Sequence, residues 1–392
     1  MKYPTFWFAF IAAGIFSYDG SLAMLLPIVP LFLIKLQMEK TFLGIPLLLL
    51  GIGQITGTVI FAYALARSQE RKFYLIFTFL IFAICGVNYM VLTEIIQFLV
   101  SAFLQGLGSG FIWQIALVVT SELFHEDEQA RINGYIFATF NFASIICPIY
   151  STIIYDSFGS FGFGLSIAAV GIFLFFASFC CPQEKKYHTV KSQESLSPKQ
   201  IMSPIFISGI FLSFVSAGLR AGLETYIPII LQDRFDVPDR YIGLFWLFIT
   251  VPATLSCVVL GRMASYFTEF LLLWIGVGFL TASIFLILYG QHIAIFCTGL
   301  VCLALGFTYT SAPVPSFLVK TLQVHPSALH GFRNVFTAMG IGLYPLLVGL
   351  LLQFVSLNGL ALLFFMSLII CVPFMMASRR LVKLKTRDIT IL

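Results

Sequence analysis

The chain has 392 residues, of which 59% are hydrophobic and only 10% are charged, with a formal net charge of +5. Soluble globular proteins carry roughly 25% charged residues. This chain therefore lacks the polar side chains needed to cover a water-facing surface, and its composition excludes a soluble protein.

Apolar segments long enough to cross a bilayer recur from one end of the chain to the other. A spanning helix needs ~20 apolar residues, and twelve such segments leave short loops and no room for a large extramembrane domain. Residues Thr5 to Ile34 are apolar for too long to be a cleavable signal peptide. The first and seventh segments exceed the required length, so we expect tilted or broken helices there. The predicted spans are 5–34, 42–65, 73–93, 95–121, 132–155, 160–181, 203–231, 241–262, 269–290, 292–318, 331–354 and 357–378.

The distribution of lysine and arginine predicts the orientation. Most of these residues fall in loops that are cytoplasmic if the amino terminus is inside, and Arg333 at the start of span 11 is counted with them. This bias favours cytoplasmic amino and carboxyl termini and an even number of spans. The exceptions are Lys35, Lys40, Arg234 and Arg240 outside and Arg220 within a span.

Landmarks of the first half of the chain recur in the second half at nearly one offset. Two six-span halves with the same orientation explain the recurrence, and parallel halves of this kind hold a central site near the membrane midplane. Coincidence is the competing explanation, because glycine and proline are common in spans. The recurring pairs are Pro30 with Pro228, Gly134 with Gly331 and Pro148 with Pro345. We predict an all-α integral membrane protein of twelve helices in two pseudo-symmetric halves, 1–181 and 203–392, joined by a cytoplasmic linker, 182–202.

Three charged residues lie inside predicted spans, where a charge is costly and marks a candidate functional site. Asp19 lies in the middle of span 1, and Arg220 and Glu224 lie in span 7. Arg220 and Glu224 are four residues apart, so they share a helix face and can pair. We predict that Asp19 and Glu224 carry protons or bind substrate. The competing interpretations are a structural hydrogen bond for Asp19 and a static ion pair for Glu224. Arg220 either binds an anionic group of the substrate or neutralises Glu224.

Polar and aromatic side chains in the spans are further candidates, because polar groups in hydrocarbon need partners. For the aromatic residues, packing or contact with lipid is the competing interpretation. The predicted residues of a substrate cavity are Tyr18, Gln54, Trp113, Gln114, Asn141, Trp246 and Tyr309.

Small residues and prolines have predicted structural roles. The run from Gln105 to Gly110 in span 4 permits close helix contact, and it is not a phosphate loop, because no strand precedes it and no Lys-Ser/Thr follows it. Pro148 and Pro345 are predicted to kink spans 5 and 11. None of the eight cysteines has metal-ligand spacing with a histidine, so we predict no metal and no cofactor.

These features resemble the major facilitator superfamily over essentially the whole chain, and its drug:proton antiporter and vesicular amine transporter branches most. In those branches span 1 carries an Asp followed by P-x-x-P, here Asp19, Pro27 and Pro30. Their span 7 motif L-E-P-T-L-P-L-W-L is similar to LETYIPIIL here. The span 4 signature R-x-x-Q-G-x-G keeps its Gln and both glycines but has Ala102 in place of the Arg that is often linked to proton coupling.

The family's signature between spans 2 and 3, G-x-L-A-D-R-x-G-R-K, corresponds here to YALARSQERK, which loses both glycines and the Asp. An acid-then-Arg pattern between spans 4 and 5 also resembles the family. The exporter signature of span 5, G-P-x-x-G-G, is reduced to Cys147 and Pro148. The resemblance implies a cytoplasmic gate, and its predicted residues are Arg67, Arg71, Lys72, Glu122 and Arg131.

The resemblance implies a secondary transporter that works by alternating access between two halves. Our first hypothesis is a proton-coupled exporter of a small organic molecule. The reduced span 5 signature leaves a proton symporter or facilitator for uptake open. A membrane enzyme or a transport-inactive sensor is a remote alternative, since the catalytic groups that an enzyme needs are not recognisable in the sequence. The predicted partners are the substrate, protons and the lipid bilayer, and we expect no binding of nucleic acid. We also predict a monomer located in a bacterial inner membrane.

Overall fold

The computed structural model of the protein describes most of the predicted spans. The described residues are 2–35, 42, 44–67, 71–123, 126–181, 198–263, 269–314, 318, 326–354, 361–362 and 364–370. Within these ranges the regular structure is helical and contains no strand.

The helices follow the predicted spans closely, because uninterrupted apolar sequence in lipid has helix as its self-sufficient backbone structure. Helix α8, a 3-10 turn at Gly243–Trp246 and helix α9 follow one another directly and form one span. The helices are α1 (Lys2–Lys35), α2 (Gly44–Arg67), α3 (Arg71–Met90), α4 (Ile95–Leu123), α5 (Glu126–Ser178), α6 (Pro198–Ile201), α7 (Pro204–Phe235), α8 (Asp239–Ile242), α9 (Leu247–Met263), α10 (Glu269–Tyr289), α11 (Ile293–Ser311) and α12 (Pro326–Phe354).

Helices α1 and α7 are continuous, so of the two alternatives expected there, tilted or broken helices, only tilt remains. Helix α1 has 34 residues and contains Pro27 and Pro30, and helix α7 has 32 residues and contains Pro228. At a rise of about 1.5 Å per residue both are near 50 Å long, which exceeds the ~30 Å hydrocarbon core of a bilayer. The predicted twelfth span, 357–378, falls largely outside the described residues, of which 361–362 and 364–370 are helical.

Helix α5 contains two spans joined at one glycine. It has 53 residues, and Gly159 alone leaves the helical conformation, with φ 62° and ψ −154°. The Tyr150 hydroxyl and the Ser166 hydroxyl form a hydrogen bond of 2.9 Å across this point. Sixteen residues of straight helix would rise about 24 Å, so the chain must reverse direction at Gly159. Glycine is suited to this position because other residues rarely adopt a positive φ.

Ten helices of the described chain are long and apolar enough to cross a membrane, and the one that includes Ala138–Ser178 holds two of the predicted spans. The prediction of an all-α, polytopic integral membrane protein is therefore confirmed for the described part of the chain.

The chain forms two compact units, and their limits differ from the predicted halves at one segment. The first unit is Met1–Val190 with Glu224–Thr250, and the second is Lys191–Leu223 with Val251–Leu392. Residues Glu224–Thr250 group with the first unit because α8 and the 3-10 turn pack against α5. The division of the sequence into halves joined by a linker at 182–202 remains a prediction.

Glycines let α2 and α4 of the first unit pack with their backbones in contact. A Cβ atom on Gly106 or Gly110 would overlap the carbonyl oxygen of Leu50 or Gln54, and one on Gly53 or Gly57 would overlap a carbonyl of α4. The glycines recur every four residues on each helix, so they lie along one face. Close approach through small residues is the usual way in which helices associate in lipid, and the predicted role of the span 4 glycines is confirmed.

Helices α4 and α5 make most of the other contacts of the first unit. Helices α1 and α3 each pack against both of them. In the second unit α10 packs closely on α11, with Gly276 against Thr310, and α7 packs on α12, with Gly218 against the ring of Tyr344.

Replacing Gly106 by leucine is expected to destabilise the first unit, because the new side chain would enter the space of the Leu50 carbonyl. Overpacking typically lowers the free energy of unfolding by about 1–3 kcal/mol. We expect the upper part of that range, because the overlapping atom belongs to the backbone and cannot move to another rotamer. Thermal unfolding of the purified chain in detergent measures the effect. Gly278→Leu is the matched control, since a Cβ at Gly278 meets nothing within 4 Å. Equal losses of stability in both variants would contradict this account of the α2–α4 contact.

Candidate functional site

The carboxyl group of Asp19 is buried, and only one of its two oxygens has a hydrogen-bond partner among the described residues. The residue is 5% exposed on α1. Its Oδ1 atom accepts a hydrogen bond of 3.2 Å from Nε1 of Trp113 on α4. Its Oδ2 atom is buried and has no hydrogen-bond partner in the described part of the chain. A buried acceptor without a partner costs about 1–3 kcal/mol, and more if it is charged, so Oδ2 is a place where a proton or a cation is stabilising.

Helices α1, α4 and α5 hold this carboxyl group in place. The Trp113 ring lies edge-on to the ring of Phe140 on α5, with centroids 6.1 Å apart. Next to Asp19, Gly20 faces Cys147 of α5 so closely that a Cβ atom would lie 2.8 Å from the cysteine sulfur. The position of Asp19 therefore depends on tight packing of α1 against α5, and the direction of its carboxyl group depends on Trp113.

A chain of hydrogen bonds ties α1 to α3 and α4 beside Asp19. The Tyr18 hydroxyl donates to the Thr78 carbonyl, and the Ser21 hydroxyl donates to the Tyr18 carbonyl at 2.8 Å. The Gln105 amide donates to the Ser21 hydroxyl and accepts from the Tyr89 hydroxyl at 2.9 Å. The predicted cavity residue Tyr18 is thus fully buried with its hydroxyl occupied, and its contact with substrate stays a prediction.

Ser109 is a further candidate that the sequence analysis did not single out. Its hydroxyl is buried and, among the residues that the structure describes, has no hydrogen-bond partner. Gln105, Ser109 and Trp113 are spaced four residues apart, so they lie on one face of α4. Since Gln105 bonds to α1 and Trp113 bonds to Asp19, this face is directed at α1. The four-residue spacing of polar residues in an apolar helix was the signal in the sequence.

The two predicted charges of span 7 both lie on α7. Glu224 is 4% exposed, and Arg220 is partly buried one turn before it. The Arg220 guanidinium lies over the ring of Phe307 on α11, 4.6 Å from the ring centroid, a distance typical of cation–π contact. The pairing of Arg220 with Glu224 remains a prediction.

The remaining predicted cavity residues lie in three kinds of surroundings. Gln54, Gln114 and Asn141 are partly buried within their helices. Trp246 is fully buried, and its Nε1 atom has no hydrogen-bond partner in the described ranges; the hydroxyl of Tyr226 shares this property. Tyr309 is buried among apolar side chains beside Leu260. The cavity itself remains a prediction.

The predicted cytoplasmic gate is described only in part. Arg71 is buried at the start of α3, and the Lys72 ammonium donates to the Phe179 carbonyl at 2.8 Å. Arg67, Glu122 and Arg131 lie on α2, α4 and α5, but their side chains lie outside the described structure. Lys72 therefore ties the start of α3 to the end of α5, and the gate stays a prediction.

The predicted kink prolines lie inside helices that continue around them. Pro345 lies in α12, and Pro148 lies in α5, where its carbonyl accepts from the Ser151 hydroxyl at 2.9 Å. The same turn of α5 contacts α8. A Cβ atom on Gly243 would overlap the Pro148 carbonyl, and the Thr152 hydroxyl approaches the Arg240 carbonyl at 3.3 Å. Bending at either proline remains a prediction.

Arg333, which was counted with the cytoplasmic residues, lies inside α12, and its Nη2 atom donates to the Ser311 carbonyl at 3.2 Å. Its Nε atom is buried without a hydrogen-bond partner in the described chain, as is Oγ1 of Thr337 one turn later. A single arginine near the end of a predicted span gives no signal in the sequence that its side chain turns inward.

As for metals, no group of three or more His, Cys, Asp or Glu side chains suitable for binding an ion occurs among the described residues.

Comparison with known proteins places the chain in one family. The family model of the Major Facilitator Superfamily matches residues 11–332. An uncharacterized MFS-type transporter of Schizosaccharomyces pombe is 26% identical over 184 residues, which are 39% of this chain and 41% of that protein. The match thus spans about two fifths of the curated relative's length.

Solved structures of the same architecture cover nearly the whole chain. The nucleoside transporter NupG superimposes with a TM-score of 0.76 at 12% identity, over 97% of this chain and 99% of that one. An autoinhibited POT family peptide transporter gives 0.72 at 14% identity, over 96% of each chain. A bacterial homolog of the human lysosomal transporter Spinster gives 0.70 at 12% identity, over 99% and 98%. At these identities the likeness shows the fold.

Gln105→Met is expected to lower stability, because it removes both hydrogen bonds of the Gln105 side-chain amide and leaves the buried Tyr89 hydroxyl without this partner. The expected cost is about 1–3 kcal/mol, measured as a lower unfolding midpoint in detergent. Gln291→Met, at an exposed position, is the matched control and should unfold like the wild type. A Gln105→Met protein with wild-type stability would show that the network does not fasten α1.

Proposed function

Because this chain belongs to the major facilitator superfamily and is a secondary transporter rather than an enzyme, we propose that it exports a small organic molecule in exchange for protons. The observation that carries the proposal is the buried Oδ2 atom of Asp19, which has no hydrogen-bond partner within the described residues. Glu224, a second buried acid, is proposed to take part in the same exchange.

The chemistry of exchange at Asp19 follows from its surroundings. A lone charge in an apolar interior is strongly destabilised unless it is neutralised or paired. A proton on Oδ2 neutralises the carboxyl group, and a cationic group of the substrate pairs with it. The two cannot occupy the same oxygen, so loading of one releases the other. Trp113 keeps Oδ1 engaged throughout and directs Oδ2 as the exchanging atom.

The contact of α5 with α8 is proposed to be part of the alternating-access cycle. Gly243 has no side chain, and this allows the 3-10 turn to lie directly on the Pro148 carbonyl. A long side-chain hydrogen bond of 3.3 Å runs between these segments, from the Thr152 hydroxyl to the Arg240 carbonyl. A contact made mainly by backbone and small residues separates without leaving a buried charge unpaired, and it re-forms in one geometry.

Uptake by proton symport or facilitated entry is the second candidate function. The observation that favours it is the span 5 sequence, in which the exporter signature is reduced to Cys147 and Pro148. The protein is a multi-pass membrane protein, and the lysine and arginine distribution supports cytoplasmic termini. We propose that it resides in a bacterial inner membrane. Everted vesicles separate the two directions: accumulation of substrate only when the interior is acid supports export.

Asp19→Asn is expected to reduce substrate-dependent proton flux by about tenfold or more, a change equivalent to about 1.4 kcal/mol, because the amide cannot bind a proton reversibly. Proteoliposomes loaded with a pH-sensitive dye and given a panel of organic cations, anions and zwitterions measure the flux. Glu224→Gln tests the second acid in the same assay. Asp156→Asn, at an exposed position on α5, is the matched control and should behave like the wild type. Substrate movement without proton flux, equal in all four proteins, would contradict proton coupling.

Gly243→Leu is expected to slow transport by about tenfold or more, equivalent to about 1.4 kcal/mol, because the added side chain keeps the 3-10 turn away from Pro148. Initial rates in proteoliposomes measure the effect, and the unfolding midpoint shows whether the variant remains folded. Gly278→Leu serves again as the control at an open position. A folded Gly243→Leu protein with wild-type rates would remove this contact from the transport cycle.

A further inference from the structure

Two buried polar atoms without partners face the same way on α12. They are Nε of Arg333 and Oγ1 of Thr337, neither of which has a hydrogen-bond partner in the part of the chain that the structure describes. The two residues are four positions apart, so they lie one turn apart on one helix face. Two donors on one helix face can bind the same acceptor.

The Arg333 side chain is held in place by α11. Its Nη2 atom donates to the carbonyl of Ser311, the last residue of α11, at 3.2 Å. The final carbonyls of a helix lack intrahelical partners and carry partial negative charge. The bond therefore fixes the guanidinium plane, but a single neutral carbonyl leaves most of its five N–H donors and its positive charge uncompensated.

A second guanidinium approaches the same face of α11. Arg220 of α7 lies over Phe307, and Phe307 precedes Ser311 by four residues, so both contacts lie on one face one turn apart. Arginine side chains of α7 and α12 therefore both contact the last turns of α11.

The sequence of the second unit contains few acidic residues that could pair with Arg333. Its acidic residues are Glu194, Glu269 and Asp388, and none of them lies on α11, on α12 or on α7 before Glu224. Glu224 itself belongs to the first unit and lies one turn beyond Arg220. Glu269 begins α10, and its side chain lies outside the described structure, so no acidic side chain of the second unit is described beside Arg333.

We propose that Arg333 and Thr337, with Arg220 beside them, form a subsite for an anionic group, a carboxylate or a phosphate, on the transported molecule. The planar guanidinium fork matches both groups and binds them bidentately, and the Thr337 hydroxyl adds a donor one turn away. This subsite rests on the proposed transport function and defines its substrate class as molecules that carry an organic anion.

The test is ligand-induced stabilisation of the full chain purified in detergent, which does not depend on transport. The probes are benzoate and phenyl phosphate, with neutral benzamide as the uncharged analogue. Benzoate or phenyl phosphate at saturation is expected to raise the wild-type unfolding midpoint by roughly 2–4 °C, and benzamide is not. Arg333→Gln should lose the shift, Arg333→Lys should keep part of it, and the exposed Arg240→Gln should keep all of it.

Several outcomes overturn the proposal. They are a full anion-induced shift in Arg333→Gln, an equal shift with benzamide in the wild type, or no shift with either anion. If Arg333 only caps the end of α11, Arg333→Gln lowers the midpoint without ligand but keeps the shift. Should Arg333→Gln fail to fold, Thr337→Val takes its place, and it must lose at least half of the shift.

A further arm separates a substrate anion from a lipid headgroup. Added phosphatidylglycerol should leave the benzoate shift unchanged, and loss of the shift would assign the subsite to lipid phosphate and overturn the substrate assignment. Failure of the proton-flux experiment with Asp19→Asn leaves the anion shift intact, so the two proposals fail separately.

Discussion

In a hydrocarbon layer every polar group must find its partner within the chain, and this requirement organises the structure more than any single contact does. Water is absent, so an unpaired N–H, C=O or hydroxyl costs several kcal/mol. Hydroxyls in the spans accordingly bond to carbonyls of their own helix, as Ser17 does to Ala13 and Thr308 does to Ala304. Gln105 meets the requirement between helices by joining α1, α3 and α4. Against this background the few open atoms stand out as sites for something that enters from outside.

The open atoms on which the two proposals rest differ in chemistry. Oδ2 of Asp19 is an acceptor, whereas Nε of Arg333 and the Thr337 hydroxyl can donate. A proton or a cation suits the former, whereas a carboxylate or a phosphate suits the latter. The two proposals therefore concern different chemical groups.

Much of the fold was predictable from the sequence, because hydropathy reports directly on which residues can lie in lipid. The limits of α4 and α10 differ from the predicted spans by no more than two residues. The break between spans 5 and 6 was located within the predicted gap, at Gly159. Continuity of α1 was not foreseen, since length alone does not show whether a helix with two prolines bends or breaks. Residues Glu224–Thr250 group with the first unit because of the α5–α8 contact, and hydropathy carries no information about contacts between helices.

The candidate site was predictable only as far as charge and helical spacing reach. Asp19 was identified because an acid in an apolar span is costly, and Trp113 was named without any sign that it would bond to Asp19. Ser109 and Arg333 were missed because what distinguishes them is a buried polar atom without a described hydrogen-bond partner. Which polar atoms find partners depends on packing between helices, which the sequence does not show. The sequence also ranked Tyr18 with the cavity residues, although its hydroxyl bonds to the Thr78 carbonyl.

The reversal at Gly159 bears on how the protein is made. Only Gly159 joins the two spans of α5, and a hydrogen bond between Tyr150 and Ser166 connects them across the turn. No loop between them is long enough to stay in water while span 5 alone is inserted. Such a pair leaves the translocon most readily as a preformed helical hairpin. The direction in which span 5 is threaded then dictates that of span 6, and the apolar faces of both meet lipid at the same moment during synthesis.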